Sequence, residues 1–283
     1  MPNIAILGTG LLGSGFAEAA CKRGWTVTVW NRTASKAHAL EAFGAKVAAT
    51  PADAVRGADH VHLILRDDAV VEEVIAAARA ALGADTVICD HTTTQPALTA
   101  ARMERLEKEG VKYLHCPVFM GPPAARNAEG SMLVAGPAAL FAKMESALTA
   151  MTGKLQYLGE RRDAAAAYKL FGNAFFVGIA GTLADVFSIA KGAGFAPEET
   201  LKVLDVFNPS AIIGGRGKLM AAGNFAPMFE LTMARKDVRL MIETAGTVPL
   251  AVLPGLAARM DVLIAQGHGA QDAGVVAIDA VTK

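Results

Sequence analysis

The stretch IAILGTGLLGSGFAEAACKRGWTVTVWNR, residues 4–32, decides the fold. It begins with the continuous apolar run Ile4–Leu7, which is typical of a strand buried on both faces. A glycine-rich turn and a helix-like run lead from there to Gly24. The β-branched and aromatic residues at 25–30 then predict a second strand.

The glycines of the turn, Gly8, Gly10 and Gly13, have G-x-G-x-x-G spacing. Gly8 permits a tight turn, Gly10 lets the backbone approach a pyrophosphate, and Gly13 lets helix and strand pack closely. The helix that follows points unpaired backbone N–H groups at the phosphates. Strand, glycines, helix and second strand occur in the required order within about 30 residues. This order favours dinucleotide binding over a glycine turn without a ligand, and the predicted site includes Leu11 and Leu12 between the glycines.

The residues after the second strand, Asn31, Arg32 and Thr33, indicate which dinucleotide is bound. An NAD site expects Asp or Glu here, on the ribose 2′-hydroxyl. A carboxylate would repel a 2′-phosphate, whereas the Arg32 guanidinium can bind it bidentately. Lys36 adds a second cation one turn later. The pattern predicts that NADP(H) is preferred and that NAD(H) is a weaker alternative; a solvated arginine at a helix start is the competing interpretation.

Composition limits the remaining classes of function. A chain of 283 residues exceeds the usual size of one core, so two domains are expected. Lys plus Arg and Asp plus Glu number 27 each, and this balance gives no electrostatic reason to expect nucleic acid or a membrane surface. No uninterrupted apolar run reaches the ~20 residues that span a bilayer. No membrane partner is therefore expected.

The three cysteines, Cys21, Cys89 and Cys116, have no metal-ligand spacing. Buried, reduced thiols in a cytosolic protein are the simplest interpretation. The chain begins directly with a core strand, which leaves no room for a signal peptide. We therefore expect a cytoplasmic protein without a metal site.

Strand and helix patterns alternate through residues 1–162, which predicts an α/β domain with a Rossmann-type doubly wound parallel sheet. After the first two strands, strands are expected at 47, 60–65, 86–89, 111–118, 132–135 and 155–158. The last of these is expected to close the sheet. Helices are expected between them, at 34–43, 51–57, 68–82, 96–109 and 137–151.

From Asp163 onward the pattern is helical. Residues 163–193 predict one helix of roughly 30 residues, or about 45 Å. Gly172, Gly178 and Gly181 lie inside it and predict close packing. Residues 163–283 are therefore expected to form an all-α domain joined to the first by this long helix.

Lys169 and Asn173 lie four residues apart, on one face of the long helix. A lysine near a nicotinamide pocket can donate a proton to a carbonyl that receives hydride, because desolvation lowers its pKa toward the working pH. Asn173 could orient the same oxygen. Spacing alone would equally suit an exposed lysine and a packing asparagine.

Several motifs, taken together, resemble the β-hydroxyacid dehydrogenase family, which includes 3-hydroxyisobutyrate dehydrogenases and glyoxylate/succinic semialdehyde reductases. The matching segments are GTGLLGSGFA at 8–17 with Asn31-Arg32, CPVFMG at 116–121, GSMLVAG at 130–136, KLFGN at 169–173, Lys236-Asp237 and GHGAQD at 267–272. They follow the family order across essentially the whole chain.

The resemblance implies a role for individual residues. Lys169 would be the catalytic acid/base and Asn173 would hold the substrate. Lys236 would reach the nicotinamide end of the cofactor, with a surface ion pair to Asp237 as the alternative. Thr93 would line the nicotinamide ribose. The backbone of Leu65 and Arg66 would pass near the cofactor.

The substrate loop departs from the family pattern P-V-S-G-G, in which a serine hydroxyl and glycine amides hold a carboxylate. Phe119 and Met120 replace the serine and the first glycine, ahead of Gly121. The glycines that usually precede the catalytic lysine are Glu160, Asp163 and Ala165. The predicted substrate site, Phe119, Met120 and Gly121 with Lys169 and Asn173, is therefore more apolar than usual.

These observations predict an NADPH-dependent oxidoreductase that acts on a small hydroxy acid, aldehyde or related carbonyl. An imine reductase-like enzyme is a close alternative, but the resemblance implies that such enzymes commonly carry Asp or Tyr in place of Lys169. A 6-phosphogluconate dehydrogenase would be longer and more basic at its phosphate pocket. The alternative from another class is a cofactor-binding module without turnover.

The long helix also predicts self-association. Apolar residues cover much of its circumference, namely Val177, Ile179, Leu183, Val186, Phe187 and Ile189. Only Asp185 and Lys191 form a polar stripe. A helix apolar nearly all round must be buried nearly all round. We therefore expect a homodimer or tetramer, as the family resemblance also implies.

Overall fold

The structure, a computed structural model, describes residues 1–282. The chain divides into two compact units, Met1–Asn173 and a second unit from Ala174 onward. The division lies inside the long helix, 11 residues after the boundary predicted at 162/163.

The first unit contains a six-stranded parallel sheet. Its strands are β1 (Asn3–Leu7), β2 (Thr26–Trp30), β3 (Lys46–Val47), β4 (His60–Leu63), β5 (Val87–Asp90) and β6 (Lys112–His115). Their order in the sheet is β3-β2-β1-β4-β5-β6, which is the order of a doubly wound dinucleotide-binding sheet. The predicted fold is confirmed, and β1 and β4 flank the point where the strand order reverses.

Helices cover both faces of this sheet, and most end within a few residues of their predicted ends. They are α1 (Leu11–Lys22), α2 (Ala34–His38), α3 (Pro51–Val55), α4 (Asp68–Ala78) and α5 (Pro96–Lys108), with 3₁₀ turns at Glu41–Phe43 and Arg79–Ala81. Alternate residues of β1 pack into different cores: Ile4 and Ile6 on one side, Ala5 and Leu7 on the other. The continuous apolar run is thus explained by burial on both faces.

A second, three-stranded sheet corrects the sequence prediction. It consists of β7 (Val118–Phe119), β8 (Ser131–Val134) and β9 (Lys154–Tyr157), with α6 (Pro122–Asn127) and α7 (Ala138–Thr149) between them. The prediction that residues 155–158 close the parallel sheet is wrong. The strand expected at 111–118 breaks at Pro117, which has no N–H for the ladder, and β8 then pairs antiparallel with β7.

The long helix, α8 (Ala164–Gly192), is continuous over 29 residues. The close packing predicted at the helix glycines is observed at Gly172 and Gly181. A Cβ at these positions would lie 2.3 Å from the Phe119 ring and 2.8 Å from Val252, respectively. Gly178 faces open space, so the prediction of close packing is wrong for that glycine in the single chain.

By length and composition alone, α8 could cross a membrane: an 18-residue window has a mean hydropathy of 1.6. Buried core helices of soluble proteins pass the same test, whereas only 6% of this window is buried in the single chain. The lack of an uninterrupted apolar run of ~20 residues therefore does not exclude α8 as a membrane span, because its few polar residues interrupt the run without making the helix polar.

The second unit is helical throughout its described residues, as predicted. Its helices are the second part of α8, α9 (Pro197–Thr200), α10 (Pro209–Ala221), α11 (Leu231–Ala245), α12 (Leu253–Leu263) and α13 (Ile278–Val281). Shorter turns are 3₁₀ at Leu201–Asp205 and Ala273–Ala277 and π-helical at Ile264–His268. The core is small and lies mainly between α11 and α12, around Leu231, Val238, Met260 and Leu263.

Asp185 does not belong to a solvent-facing stripe, as the sequence had suggested. It is 2% exposed and accepts backbone N–H groups from Val252 and Leu253 at 3.0 and 2.7 Å. These bonds hold its pKa below the usual range, although burial opposes the shift. Asp185 therefore joins α8 to the start of α12. It does not form part of the solvent-facing polar stripe predicted for α8.

Candidate active site

The glycine turn between β1 and α1 has the geometry that its spacing predicts. Gly8 has φ +104°, and a Cβ there would lie 2.2 Å from the Ile64 carbonyl oxygen. A Cβ at Gly13 would lie 1.9 Å from the Gly8 carbonyl oxygen. Gly10 is different, because the space beside it is open. A ligand can therefore approach the backbone at Gly10, while Gly8 and Gly13 pack against protein.

Gly10 is also the N-cap of α1, and no side chain caps this helix. The first N–H groups of a helix have no partner within the helix. An uncapped helix start beside open space suits an anion such as a pyrophosphate. The turn thus fits a dinucleotide.

The glycine turn opens into a cavity of about 490 Å³ at the carboxyl ends of β1, β2, β4 and β5. Ten residues of the predicted cofactor site line it: Gly8, Gly10, Leu11, Leu12, Asn31, Arg32, Thr33, Leu65, Arg66 and Thr93. Gly13 is buried beneath the turn and does not line the cavity. This position corresponds to the crevice where ligands bind in doubly wound sheets.

Asn31 holds the end of β2 against the glycine turn. Its Oδ1 accepts the Thr9 N–H at 3.0 Å, and its Nδ2 donates to the Thr33 carbonyl at 3.0 Å. The Asn31 side chain therefore shapes the cavity wall, and its polar atoms are already engaged by protein.

Cationic side chains lie at this end of the cavity. Arg32 and Lys36 are exposed, and neither forms an ion pair with another described residue. Arg66, in contrast, is bound to Asp67 at 2.6 Å. Two free cations after β2, with no carboxylate at the strand end, give the cavity a positive site for an anionic group.

The loops after β4 and β5 are tied to each other at the opposite side of the cavity. The Leu65 N–H donates to Thr92 Oγ1 at 3.0 Å, and the Thr92 N–H donates to Asp90 Oδ1 at 2.9 Å. Thr93 is exposed beside them and lines the cavity. A hydrogen bond therefore joins the two loops at this edge of the cavity.

Lys169 is held in a defined position. Its Nζ donates to the Val118 carbonyl at 2.7 Å and lies 4.3 Å from the centre of the Phe119 ring. The side chain is half-buried, and burial lowers the pKa of its ammonium group below the usual value. The alternative of an exposed surface lysine does not describe this environment. Lys169 is a cation under partial desolvation, beside a backbone acceptor and an aromatic face.

Asn173 follows one turn later on α8 and is half-buried. Its side chain forms no hydrogen bond with another of the described residues. An amide in this state can donate to or accept from a ligand.

The three predicted substrate-loop residues differ in their surroundings. Phe119 is half-buried, with its ring against Gly172 of α8. Met120 is partly buried and packs against the core that contains Ile4 and Ile6. Gly121 is exposed as the N-cap of α6. Phe119 alone of these three places a large apolar surface beside Lys169.

Lys236 lies on α11 in the second unit, where its Nζ is 2.8 Å from a carboxylate oxygen of Asp237. Its side chain is 45% exposed. The role at the nicotinamide end stays a prediction.

Several lining residues were not predicted from the sequence as part of the site: Trp30, Ile64, Val70, Glu73, Val74, His91 and Thr92. His91 and Thr92 stand next to Thr93 in the segment DHTTT, so the assignment of Thr93 to the site could have indicated them as well. Val70, Glu73 and Val74 have helical spacing on α4. That spacing indicates a shared face but not that the face is turned to the cofactor cavity.

The three cysteines, all within the described residues, are free thiols: Cys89 and Cys116 are buried and Cys21 is half-buried. Burial raises the pKa of Cys116 well above its usual value. Across residues 1–282, no three His, Cys, Asp or Glu side chains are grouped as metal ligands.

Comparison with known proteins places this geometry in a family. Residues 3–159 match the model described as the NAD binding domain of 6-phosphogluconate dehydrogenase. Glyoxylate/succinic semialdehyde reductase 1 of Arabidopsis thaliana is 27% identical over 262 residues, which cover 88% of this chain and 89% of that protein. An imine reductase of Streptomyces aurantiacus superposes with a TM-score of 0.87 at 27% identity, covering 99% of this chain and 100% of that one.

A relative of another kind is the cytokine-like nuclear factor N-PAC of Xenopus tropicalis, 28% identical over 250 residues. The match covers 87% of this chain but only 47% of that protein, so the chain spans about half its length. The family match covers more than half of the chain and includes the whole glycine turn and cofactor cavity. The chain therefore belongs to the family that shares the NAD-binding domain of 6-phosphogluconate dehydrogenase, as a β-hydroxyacid dehydrogenase-like, NAD(P)-dependent oxidoreductase.

Proposed function

We propose that the protein is an NADPH-dependent reductase of small, neutral carbonyl compounds, with Lys169 as the proton donor. The observation that carries this proposal is the environment of the lysine. Its ammonium group is half-buried, 2.7 Å from the Val118 carbonyl and 4.3 Å from the Phe119 ring centre. A fixed lysine with a lowered pKa suits general acid catalysis near neutral pH.

The nicotinamide, when bound, supplies the hydride. Lys169 Nζ donates a proton to the oxygen of the substrate carbonyl as that oxygen gains negative charge. Asn173, one turn away on the same helix face, donates an amide N–H to the same oxygen. Lys169 is then neutral and takes up a proton from solvent before the next turnover.

Phe119 supports a neutral substrate. In the family pattern, a serine hydroxyl at this position binds a substrate carboxylate, and a phenylalanine ring cannot donate such a hydrogen bond. The face of an aromatic ring carries partial negative charge and disfavours a nearby anion. A carbonyl compound with an apolar substituent would instead bury that substituent against the ring.

Arg32 and Lys36 support NADPH over NADH. Both cations line the cavity at the end of β2, where an NAD site would carry an acidic residue. Both are free of ion pairs with the described residues, so neither must give up a partner to bind a 2′-phosphate.

A second candidate reaction is the reduction of a cyclic imine. The likeness to the imine reductase of Streptomyces aurantiacus and the apolar ring of Phe119 favour it. Lys169 opposes it, because an iminium cation would lie beside an ammonium group unless the lysine is neutral.

The decisive experiment is NADPH oxidation with matched substrates: butanal against succinic semialdehyde, and a cyclic imine against its parent ketone. Butanal and succinic semialdehyde have chains of four carbons and differ in the terminal carboxylate. We expect butanal to have a kcat/KM at least ~tenfold higher, about 1.4 kcal/mol of transition-state binding. A preference for succinic semialdehyde would contradict the neutral-substrate assignment, and imine turnover alone would favour the second candidate.

Lys169→Met is the matched test of the proton donor. The variant keeps an unbranched apolar stem but removes the ammonium group, and it should lower kcat by ~10²–10⁴ while NADPH affinity is retained. If NADPH binds but neither the parent protein nor the variant oxidises it with any substrate, the protein is a binding module, as its similarity to N-PAC would allow.

We also propose that the second unit forms a homodimer. Phe176, Val177 and Ile179 on α8 are 74%, 65% and 50% exposed in the single chain. Other exposed apolar residues of this unit are Phe195, Val206, Met228, Met233 and Val262. Apolar surface of this extent marks a protein interface in soluble proteins, and a two-fold dimer is the commonest closed assembly.

A second copy suits this surface better than a bilayer. Asp185 and Ser188 of α8 bond to the backbone at 249–253 within the second unit. These bonds attach the helix to the irregular 249–253 segment, and polar contacts of this kind favour a protein environment over lipid. Sedimentation of the purified protein without detergent at micromolar concentration should give about twice the chain mass of 29.3 kDa. A monomer, or a protein that requires detergent, would contradict the proposal.

A further inference from the structure

Three buried histidines, His60, His62 and His91, form a continuous hydrogen-bonded chain along one face of the parallel sheet; we term it the histidine column. His60 Nδ1 lies 2.8 Å from His62 Nε2, and His62 Nδ1 lies 2.8 Å from His91 Nε2. The column ends where His91 Nδ1 meets the Cys116 carbonyl oxygen at 2.7 Å. All three side chains are at least 96% buried.

The Cys116 carbonyl determines the tautomer of every ring in the column. A carbonyl oxygen can only accept, so His91 Nδ1 must carry the proton. His91 Nε2 then accepts from His62 Nδ1–H, and His62 Nε2 accepts from His60 Nδ1–H. Burial lowers the pKa of His60 and of His91 to about 4 and holds that of His62 well below its usual value, which keeps each ring neutral with one N–H. All three histidines therefore carry their proton on Nδ1.

The column runs from one end of the strands to the other. His91 lines the cofactor cavity and packs on Phe16 of α1, with ring centres 5.2 Å apart. At the opposite end, His60 lines a separate cavity of about 480 Å³, with Asp59 and Lys143. His60 Nε2 is buried there and has no hydrogen-bond partner among the described residues.

The Cys116 carbonyl lies two residues before the acceptor of Lys169. Pro117 stands between Cys116 and Val118 and restricts the backbone that joins them. A bond that fixes the Cys116 carbonyl thereby also limits where the Val118 carbonyl can point. The Val118 carbonyl in turn accepts from Lys169 Nζ at 2.7 Å.

Polar groups from neighbouring elements leave the column intact. Asp90 on β5 is bonded to Tyr113 at 2.6 Å and lies 3.8 Å from Arg102. His115 on β6 is bonded to Thr94 and to the Thr92 carbonyl. Lys143 donates to the Asp85 carbonyl. Each of these groups is engaged elsewhere, and none of them hydrogen-bonds to a ring nitrogen of the column.

We propose that the histidine column positions the 116–118 segment, and through it the Val118 carbonyl that holds the Lys169 ammonium group. His62 and His91 are then positioning residues for the proton donor. The kinetic part of this inference rests on the proposed function of Lys169, whereas the tautomers and the state of Lys169 can be measured without turnover.

The first test is the tautomeric state of the full-length protein at neutral pH. Long-range ¹H–¹⁵N correlation of ¹⁵N-histidine-labelled protein, assigned with single-histidine variants, separates protonated from bare ring nitrogens. We expect a protonated Nδ1 and a bare Nε2 at all three positions. A His91 ring protonated on Nε2, or a mixture of forms there, would overturn the proposal.

The second test compares His62→Phe with Val61→Ala. Phenylalanine keeps a ring but removes both nitrogens from the column. Val61 lies next to His62 on β4, faces the other side of the sheet and is 1% exposed. Its truncation destabilises the same strand without touching the column. His62→Gln is the conservative variant, because its amide can accept from His60 and donate to His91.

We expect His62→Phe to lower the titration midpoint of Lys169, followed by ¹⁵N-lysine NMR, because a weakened bond to the Val118 carbonyl disfavours the charged ammonium. It should lower kcat by about tenfold or more, as small misplacements of a reacting group do, with the KM for NADPH within about twofold. His62→Gln should restore most of the Lys169 titration midpoint and most of kcat. If His62→Phe leaves the Lys169 titration as Val61→Ala does, the proposal is wrong, even if the proposed reaction itself is not found.

Discussion

At the residue scale, the contact between Phe119 and Gly172 gives a sharp prediction. A Cβ at Gly172 would lie 2.3 Å from the Phe119 ring. Gly172→Ala should therefore displace the ring and cost ~1–3 kcal/mol by overpacking, although alanine favours the helix.

Gly217→Ala is the matched control, because Gly217 lies inside α10 with open space around it. This variant should be neutral or stabilising by roughly 0.5–1 kcal/mol. Urea unfolding of both variants measures the difference. Equal stabilisation by the two substitutions would show that the Phe119 ring is free to move.

Arg32 carries the prediction on cofactor choice. Arg32→Ala should weaken NADPH binding by ~1.5–3 kcal/mol, the range for hydrogen bonds to charged groups, and leave NADH binding nearly unchanged. Fluorescence titration with each cofactor measures the two affinities. Arg79→Ala, on an exposed arginine that pairs with Glu109, controls for lost surface charge. Equal affinity of the parent protein for NADH and NADPH would refute the assignment.

How far single residues could be predicted depended on how local their signal is. Gly8, Gly10 and Gly13 were accessible from the sequence because one turn contains all three. Lys169 and Asn173 lie one helical turn apart, but that spacing alone equally suits an exposed lysine and a packing asparagine, so their selection depended on the family resemblance. The histidine column was not, since His91 stands 29 positions from His62 and the pairing of β4 with β5 brings them together. The contact of Phe119 with Gly172 likewise joins distant segments.

At the element scale, the strand β4 carries two of the column's histidines. Burial of the whole column makes the stability of the folded protein depend on pH. The pKa of His60 and of His91 is lowered to about 4 from an ordinary value of 6.5. The unfolded chain therefore binds protons in a range where the folded chain does not. Stability is full above pH ~6.5 and falls as the pH drops toward ~4, by up to a few kcal/mol in order of magnitude.

Urea midpoints measured between pH 7 and 4.5 test this dependence, since most carboxylates remain ionised in that window. His60→Met should flatten the slope. His38→Ala, which removes an exposed histidine beside Glu41, should leave it steep. A parent protein with constant stability over the window would contradict the neutral, buried state of the column.

Elements were predicted well where the pattern was long and poorly where it was short. The helix α8 and the parallel strands were clear because burial imposes a regular apolar pattern on them. The second sheet was missed because β7 has only two residues and its pairing follows from the turn through α6. A break at Pro117 indicates that a strand ends, but not that a new sheet begins.

At the scale of the whole molecule, the second unit predicts a subunit interface. Val177 is 65% exposed and lies on the apolar part of α8. Val177→Glu should shift the protein toward monomer, because a desolvated, unpaired carboxylate at an interface is costly. Sedimentation over a concentration series measures the shift.

Lys154→Glu is the control, since it changes charge on an exposed strand residue of the first unit. It should leave the sedimentation profile unchanged. A dimer unaffected by Val177→Glu would place the interface elsewhere in the chain. The prediction of association itself came from the apolar circumference of α8 and from the family resemblance, whereas the extent of the surface required the exposure of individual side chains.

The missing side-chain cap of α1 has a consequence for how the stability of the protein depends on its cofactor. Gly10 offers no side chain to the first turn of the helix, so a cofactor phosphate would complete a secondary-structure element that the polypeptide leaves unfinished. The folded chain would then gain about 2.7 kcal/mol when free cofactor stands at a hundred times its dissociation constant. Resistance of the protein to unfolding and proteolysis would thus rise and fall with the supply of nicotinamide dinucleotide around it.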